Sequence, residues 1–171
     1  MIEIRQARPA DLAELRRVAI ETQVTTFGPQ NSPEVMEAFL KESYSVSSFE
    51  QELRETHAPY YLAWDGEHLA GFIRLRNNDE VAHLLGNKTI EIQRLYVDVN
   101  YQGKKVGSAL MRFALEYARA RNLEWIWLGV WEKNHRAQEF YANWGFERFS
   151  EHIFMMGPDP QTDWLMRFRL Q

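Results

Sequence analysis

The run Glu91–Ala109, EIQRLYVDVNYQGKKVGSA, decides how the rest of the chain is read. Its first half, with Ile90 before it and Ile92, Leu95, Tyr96, Val97 and Val99 within it, is rich in β-branched and aromatic residues and predicts a strand. Asn100 to Gly107 is a short glycine-containing loop. Val106, Leu110, Phe113, Ala114 and Tyr117 then recur at spacings of three and four, which predicts one apolar helical stripe over 106–121. A helix that begins in such a loop offers unpaired backbone N–H groups and the positive end of its dipole. That is a site for an anion, most naturally a phosphate or pyrophosphate, and Lys104 and Lys105 suit the same ligand.

The kind of phosphate ligand follows from the glycine spacing. A nucleoside-triphosphatase loop ends in Gly-Lys-Ser/Thr, which Gly103-Lys104-Lys105-Val106-Gly107-Ser108 lacks. A dinucleotide fingerprint needs three glycines at fixed spacing and a later acid, and these are missing too. The loop resembles instead the acetyl-coenzyme A loop of the GNAT (GCN5-related) N-acetyltransferases: Gln or Arg, two residues, Gly, one residue, Gly or Ala. Gln102 and Gly107 match. Lys105 stands where the middle glycine is usual, so a different backbone path is expected there.

A second motif carries the same resemblance: Asn134, Ala137, Phe140-Tyr141 and Gly145-Phe146, after the fifth predicted strand. The resemblance spans essentially the whole chain. Thr26-Phe27 with Gln30-Asn31-Ser32-Pro33-Glu34, the run Ile126 to Asn134, and Met156-Gly157 with Gln161-Thr162-Asp163 resemble the PaiA-type spermidine/spermine acetyltransferases within that family. The resemblance implies an α/β (α+β) fold: a central, mostly antiparallel, twisted mixed sheet of about seven strands with helices on both faces.

The elements read from the residues agree with that order. Ile2 and Ile4 alternate as a first strand, and Pro9 opens a helix carrying Leu12, Leu15, Val18 and Ala19. Thr22–Asn31 is expected to be a loop, and Ser32-Pro33 to start a helix running to Lys41. Ser47-Ser48-Phe49-Glu50 fits a capping box for a short third helix to about Thr56. Tyr60 to Leu75 reads as a hairpin turning at Asp65-Gly66, and Asn77–Lys88 as a polar loop. Glu124–Trp131, with its apolar run WIWLGVW, reads as a strand buried on both faces. A helix over Asn134–Trp144, capped by Gly145, precedes a strand over Phe146–Met156, a turn at Gly157–Pro160 and a last strand over Asp163–Leu170.

Composition bounds the alternatives. The 171 residues suffice for one domain with a sizeable core, and no boundary or repeat divides them. At 45% hydrophobic and 13% aromatic the chain is globular rather than disordered. The absence of cysteine excludes a disulfide scaffold, a Cys-ligated zinc site and a thiol nucleophile, and fits a reducing, cytoplasmic setting. The five histidines show no metal-ligand spacing, so no metal is expected. A net charge of −4 argues against a nucleic-acid partner. No apolar run reaches the length of a membrane span, and MIEIRQARP is too polar for a signal peptide. The late aromatics Trp144, Phe149, Phe154, Trp164 and Phe168 are compatible with a homodimer.

The resemblance also implies the chemistry. Acetyl-coenzyme A is the acetyl donor, its pyrophosphate gripped by Gln102, Gly103, Lys104, Lys105, Val106, Gly107 and Ser108. The fourth strand carries a bulge and splays from the fifth, freeing backbone groups near Leu95, Tyr96 and Val97. Tyr141 is the candidate acid for the leaving thiolate, and Asn134 a cofactor contact. Glu91, which shares a strand face with Gln93, is the candidate base. Some polyamine-acetylating relatives carry an acid nearer position 93, where this chain has Gln93. Phe27, Glu34, Glu91, Gln93 and Trp127 are candidate contacts for a small-molecule amine. The expected function is an N-acetyltransferase acting on a polyamine such as spermidine or spermine. The alternatives are a protein lysine or N-terminal acetyltransferase and a non-catalytic acyl-coenzyme A-binding module.

Overall fold

The alternating and apolar runs pair into one seven-stranded sheet in the computed structural model, which describes residues Met1–Gln171. In chain order the elements are β1 (Ile2–Gln6), α1 (Leu12–Phe27), α2 (Pro33–Ser43), α3 (Val46–Arg54), β2 (Tyr60–Asp65), β3 (His68–Arg76) and α4 (Ala82–Leu85). Then come β4 (Thr89–Val97), α5 (Val106–Ala120), β5 (Trp125–Trp131), α6 (His135–Asn143), β6 (Glu147–Met156) and β7 (Asp159–Arg169). The strands lie in the order β1-β2-β3-β4-β5-β7-β6. Every neighbouring pair is antiparallel except β4 and β5.

Alternation along the strands sends side chains to two cores. Ile73, Leu75, Ile90, Ile92, Ile126, Leu128 and Met166 bury against Val106, Leu110, Met111, Ala114 and Ala118 of α5 and Tyr141 of α6. Leu62, Leu69 and Phe72 point the other way, onto Leu15, Val18 and Ala19 of α1, Phe39 of α2 and Phe49 of α3. The helices thus cover both faces of a mostly antiparallel sheet.

The sheet is split at its only parallel pair. β4 pairs with β5 only from Thr89↔Trp125 to Ile92↔Leu128. On the other side of β4, the register with β3 jumps between Arg74↔Arg94 and Leu75↔Ile92, which leaves Gln93 as an extra, bulged residue. A bulge bends its strand, so Gln93–Val97 and Gly129–Trp131 become the two lips of an opening.

Four boundaries differ from the sequence reading, each for a tertiary reason. Thr22–Phe27 is not loop but the last part of α1: Thr22 and Gln23 are buried, and the Thr22 hydroxyl donates back to the Val18 carbonyl at 2.7 Å. Burial of that face carries the helix through β-branched residues of low propensity. Ser45, not Ser47, caps α3, accepting the Ser48 N–H at 3.2 Å. The Asn77–Lys88 segment contains α4, ordered because Val81 and Leu85 pack on Trp127. The β6–β7 turn is only Gly157-Pro158, with Met156 opposite Asp159. Pro160 fits within β7 because β5 pairs only from Asp163 onward, so that part of β7 keeps an open edge.

Candidate active site

The loop before α5 makes two left-handed steps. Gly103 has φ +78, and Lys105, the N-cap of α5, has φ 65 and ψ 17. Lys105 therefore takes the path a glycine would take, contrary to the expectation of a different one. A Cβ in this region carries a cost of order 1–2 kcal/mol. The next bond along the helix is Ala109 N–H to the Lys105 carbonyl at 3.0 Å. The amides of Val106, Gly107 and Ser108 precede it and lie at the positive end of the helix. A Cβ at Gly107 would sit 3.6 Å from both Phe140 and Val97, in ordinary van der Waals contact.

These amides open onto a cavity of about 710 Å³ that runs through the split between β4 and β5. Gln102, Gly103, Lys105, Val106, Gly107 and Ser108 line its near end. Lys104 does not: it is exposed, its Nζ over the Tyr101 ring at 5.1 Å. The second cation here is Arg136, in the first turn of α6, whose Nη1 donates to Gln102 Oε1 at 3.3 Å. Sequence reasoning missed Arg136. Its place two residues after Asn134, at the start of a helix facing the loop, is the signal that would have found it.

Leu95, Tyr96 and Val97 line the middle of the cavity. The Asp98 N–H donates to Ala70 of β3 at 2.8 Å, so alternation turns the main-chain groups of Val97 and Leu95 to the opposite edge, where β5 has left. Tyr141 comes up from α6 beside them, buried among apolar side chains. Burial alone pushes its phenol pKa up to about 12, so it holds its proton throughout the neutral range. Asn134 caps α6 with Oδ1, which accepts the Ala137 N–H at 3.2 Å, and lines the cavity too.

At the far end the wall is made by Glu91, Gln93, Phe27, Trp131, His152, Phe154 and Asp163. Arg76 grips Glu91 through two bonds, 2.8 and 3.1 Å, and Asn78 donates to it as well. Desolvation raises the Glu91 pKa, and Arg76 works against that rise. Gln93 accepts from Arg74 at 2.9 Å, which pins the bulged residue to β3. His152 lies between two carboxylates, Nδ1 to Glu80 at 2.9 Å and Nε2 to Asp163 at 3.3 Å. Those partners, Asp163 most of all, lift its pKa to about 9.

Two expected amine contacts are elsewhere. Trp127 is fully buried against Val81, Leu85 and Leu165, because α4 covers the part of β5 that still pairs with β4. Trp131, four residues on and on the same face, borders the cavity, its ring 5.8 Å from that of Phe27. Glu34 is exposed in the first turn of α2 and does not line the cavity. No group of three His, Cys, Asp or Glu side chains is placed to hold a metal, and no helix is long and apolar enough to cross a membrane.

Comparison with known proteins agrees with this geometry. The acetyltransferase (GNAT) family matches residues 20–146. An uncharacterized N-acetyltransferase encoded in the pepI 3′ region of Lactobacillus delbrueckii subsp. lactis is 37% identical over 167 residues, 97% of this chain and 96% of the relative. The spermidine N(1)-acetyltransferase of Thermoplasma acidophilum is 29% identical over 150 residues, 85% of this chain and 88% of the relative. Among solved structures, the PaiA N-acetyltransferase of Thermoplasma acidophilum in complex with coenzyme A superposes with a TM-score of 0.81 at 24% identity, covering 99% of both chains. A sheet split at its parallel pair, a helix N-terminus opening into the split and a family match across most of the chain lead to one conclusion: the chain belongs to the acetyltransferase (GNAT) family, N-acetyltransferases that take the acetyl group from acetyl-coenzyme A.

Proposed function

We propose that the protein acetylates a primary amine of a polyamine such as spermidine or spermine, by direct attack of the amine on acetyl-coenzyme A in a ternary complex. The observation that carries this reading is the continuity of the cavity between β4 and β5. It joins a cationic loop, an open strand edge and an end walled by carboxylates and aromatic rings. The likeness to the Thermoplasma spermidine N(1)-acetyltransferase supports the choice of acceptor.

When bound, acetyl-coenzyme A supplies the thioester carbonyl and a thiolate leaving group. In this reading the Val106, Gly107 and Ser108 amides, with Gln102, Gly103, Lys105 and Arg136, hold its diphosphate at the helix N-terminus. Asn134 offers its amide N–H₂, since its oxygen is occupied in the cap. The main chain at Leu95 and Val97 faces the acetyl oxygen as negative charge grows there, and one such donor contributes about 3 kcal/mol. Glu91 takes the ammonium proton through a water, a task for which burial of its carboxylate raises its basicity. The free amine nitrogen bonds to the acetyl carbon, the C–S bond breaks as Tyr141 gives its proton to the departing sulfur, and the nitrogen then loses its extra proton to solvent, from which Tyr141 is reprotonated. A phenol held at about 12 is a donor at neutral pH and never a base there.

Steady-state assays with acetyl-coenzyme A and spermidine, spermine or a lysine peptide test this. Spermidine or spermine should give the highest kcat/KM. Tyr141→Phe should lower kcat by about a hundredfold or more, while calorimetry shows coenzyme A still binding. Preference for the peptide would replace the polyamine reading with protein acetylation. Coenzyme A binding without turnover on any amine would mark a non-catalytic acyl-coenzyme A module.

A further inference from the structure

The strand β5 carries a glycine, Gly129, in the middle of an otherwise bulky apolar run. Glycine weakens a strand interior, and in this setting it marks a place where something must come close. A Cβ on Gly129 would lie 3.2 Å from Asp163 Oδ2 and 3.3 Å from His152 Nε2. The missing side chain is the space in which the His152–Asp163 pair lies over the sheet. Register explains why these residues meet: Trp131 pairs with Asp163 and Asp163 with His152, so all three share the sheet face that also carries Glu91.

The two carboxylates that line the cavity differ in what they have left to offer. Glu91 is neutralised by Arg76 and accepts from Asn78 as well. Asp163 meets the protein only through Oδ2, and Oδ1 accepts no protein hydrogen bond. His152 has both ring nitrogens on carboxylates, so it is an imidazolium that offsets one of them. The Glu80–His152–Asp163 cluster keeps one net negative charge, shared between Asp163, which lines the cavity beside Trp131 and Phe154, and Glu80, which does not. The opposite end carries Lys105 and Arg136. The cavity is therefore polar along its length, positive where the donor's phosphates would lie and negative where an acceptor would extend.

We infer that Asp163 is a specificity-determining residue that docks a second ammonium group of the acceptor, and that His152, seated over Gly129, is the positioning residue that aims it. The inference rests on the amine-acetylation reading above. It selects acceptors with two or more cationic nitrogens over monoamines of similar reach. Trp131 and Phe154 add ring faces suited to the same cation.

The test compares spermidine with n-butylamine as acceptors at saturating acetyl-coenzyme A. In Asp163→Asn the spermidine-to-n-butylamine ratio of kcat/KM should fall about tenfold, the size of one lost ion pair in a partly enclosed site. The change should lie in the KM for spermidine rather than in kcat. His152→Gln keeps an N–H toward Asp163 and should retain most of the ratio, whereas His152→Leu should lose it. Gly129→Ala should lower it as well, by displacing the pair. A ratio unchanged in Asp163→Asn, or a loss confined to kcat, overturns the inference. If the wild type acetylates no amine, the function reading fails on that ground alone. Calorimetry of spermidine into the coenzyme A complex then decides this one: about tenfold weaker binding in Asp163→Asn supports it, and equal or undetectable binding to both proteins overturns it.

Discussion

Glu52→Ala should be among the most damaging single changes in this chain. The Glu52 carboxylate stands between the buried guanidinium of Arg74, at 2.7 Å, and the largely buried one of Arg94, at 2.8 Å, which borders the cavity, and it accepts the Tyr60 hydroxyl at 2.6 Å. The two arginines are not equally exposed to its loss. Arg74 keeps Glu55 at 2.7 Å, the Ala58 carbonyl at 3.0 Å and Gln93. Arg94 keeps only the Tyr60 oxygen and the faces of Tyr44 and Phe49, none of them a counter-ion. Leaving one buried charge uncompensated costs about 3–5 kcal/mol. Unfolding entropy of roughly 2.1 cal/mol/K per residue gives about 0.36 kcal/mol/K for a chain of this size, so Tm should fall by about 8–14 °C. Urea titration measures the free energy directly. Glu55→Ala is the control and should cost less, because Arg74 keeps Glu52. Adding Arg94→Leu to Glu52→Ala removes the stranded charge, and the double variant should then be more stable than the sum of the two single losses implies. A loss below about 1 kcal/mol in Glu52→Ala, or strict additivity in the double variant, would refute the claim that this carboxylate balances a buried charge.

Two further outcomes follow from single residues. Lys105→Gly relieves a left-handed side chain of about 1–2 kcal/mol but gives the unfolded chain about 0.4–1 kcal/mol of extra freedom. Urea titration should therefore show a gain of between zero and about 1.6 kcal/mol, while coenzyme A binding weakens through the lost charge; destabilisation would mean the left-handed geometry carries no strain. His152 has a folded pKa of about 9 against 6.5 for the free side chain, so its stabilisation is fully present below about pH 6.5 and is lost as pH rises through 9. The shift corresponds to about 3.4 kcal/mol at most, and solvent screening of a partly exposed group reduces it to about 1–2 kcal/mol. Denaturation at pH 6 and pH 10 should show that loss in the wild type and not in His152→Gln, and equal pH slopes would count against the imidazolium.

Local patterns made the elements legible. The apolar stripe of Val106, Leu110 and Ala114, the run WIWLGVW and the turn at Asp65-Gly66 are short-range signals, and each produced the expected helix, strand or hairpin. The misread boundaries are those where distant residues overrule local preference. Thr22 and Gln23 are helical because their face is buried, and α4 forms because Trp127 offers it something to cover. The near end of the cavity was legible for the same reason as the helices, since a loop and a helix N-terminus are contiguous in sequence. The far end was not. Asp163 and His152 come together only through strand register, Arg136 reaches the loop only because α6 packs beside it, and Trp127 lost its expected place to Trp131 where β5 leaves β4.

Spacing of apolar residues, glycines and caps along the chain was by itself enough to establish the element order, the phosphate-type loop and the family likeness, because those depend on interactions within a few residues. Tertiary structure alone decided which edge of β4 lies open, which carboxylate is neutralised and which keeps a free oxygen. Those properties arise from strand order, one bulge at Gln93 and the meeting of charges tens of residues apart, and a linear pattern carries no measure of that distance.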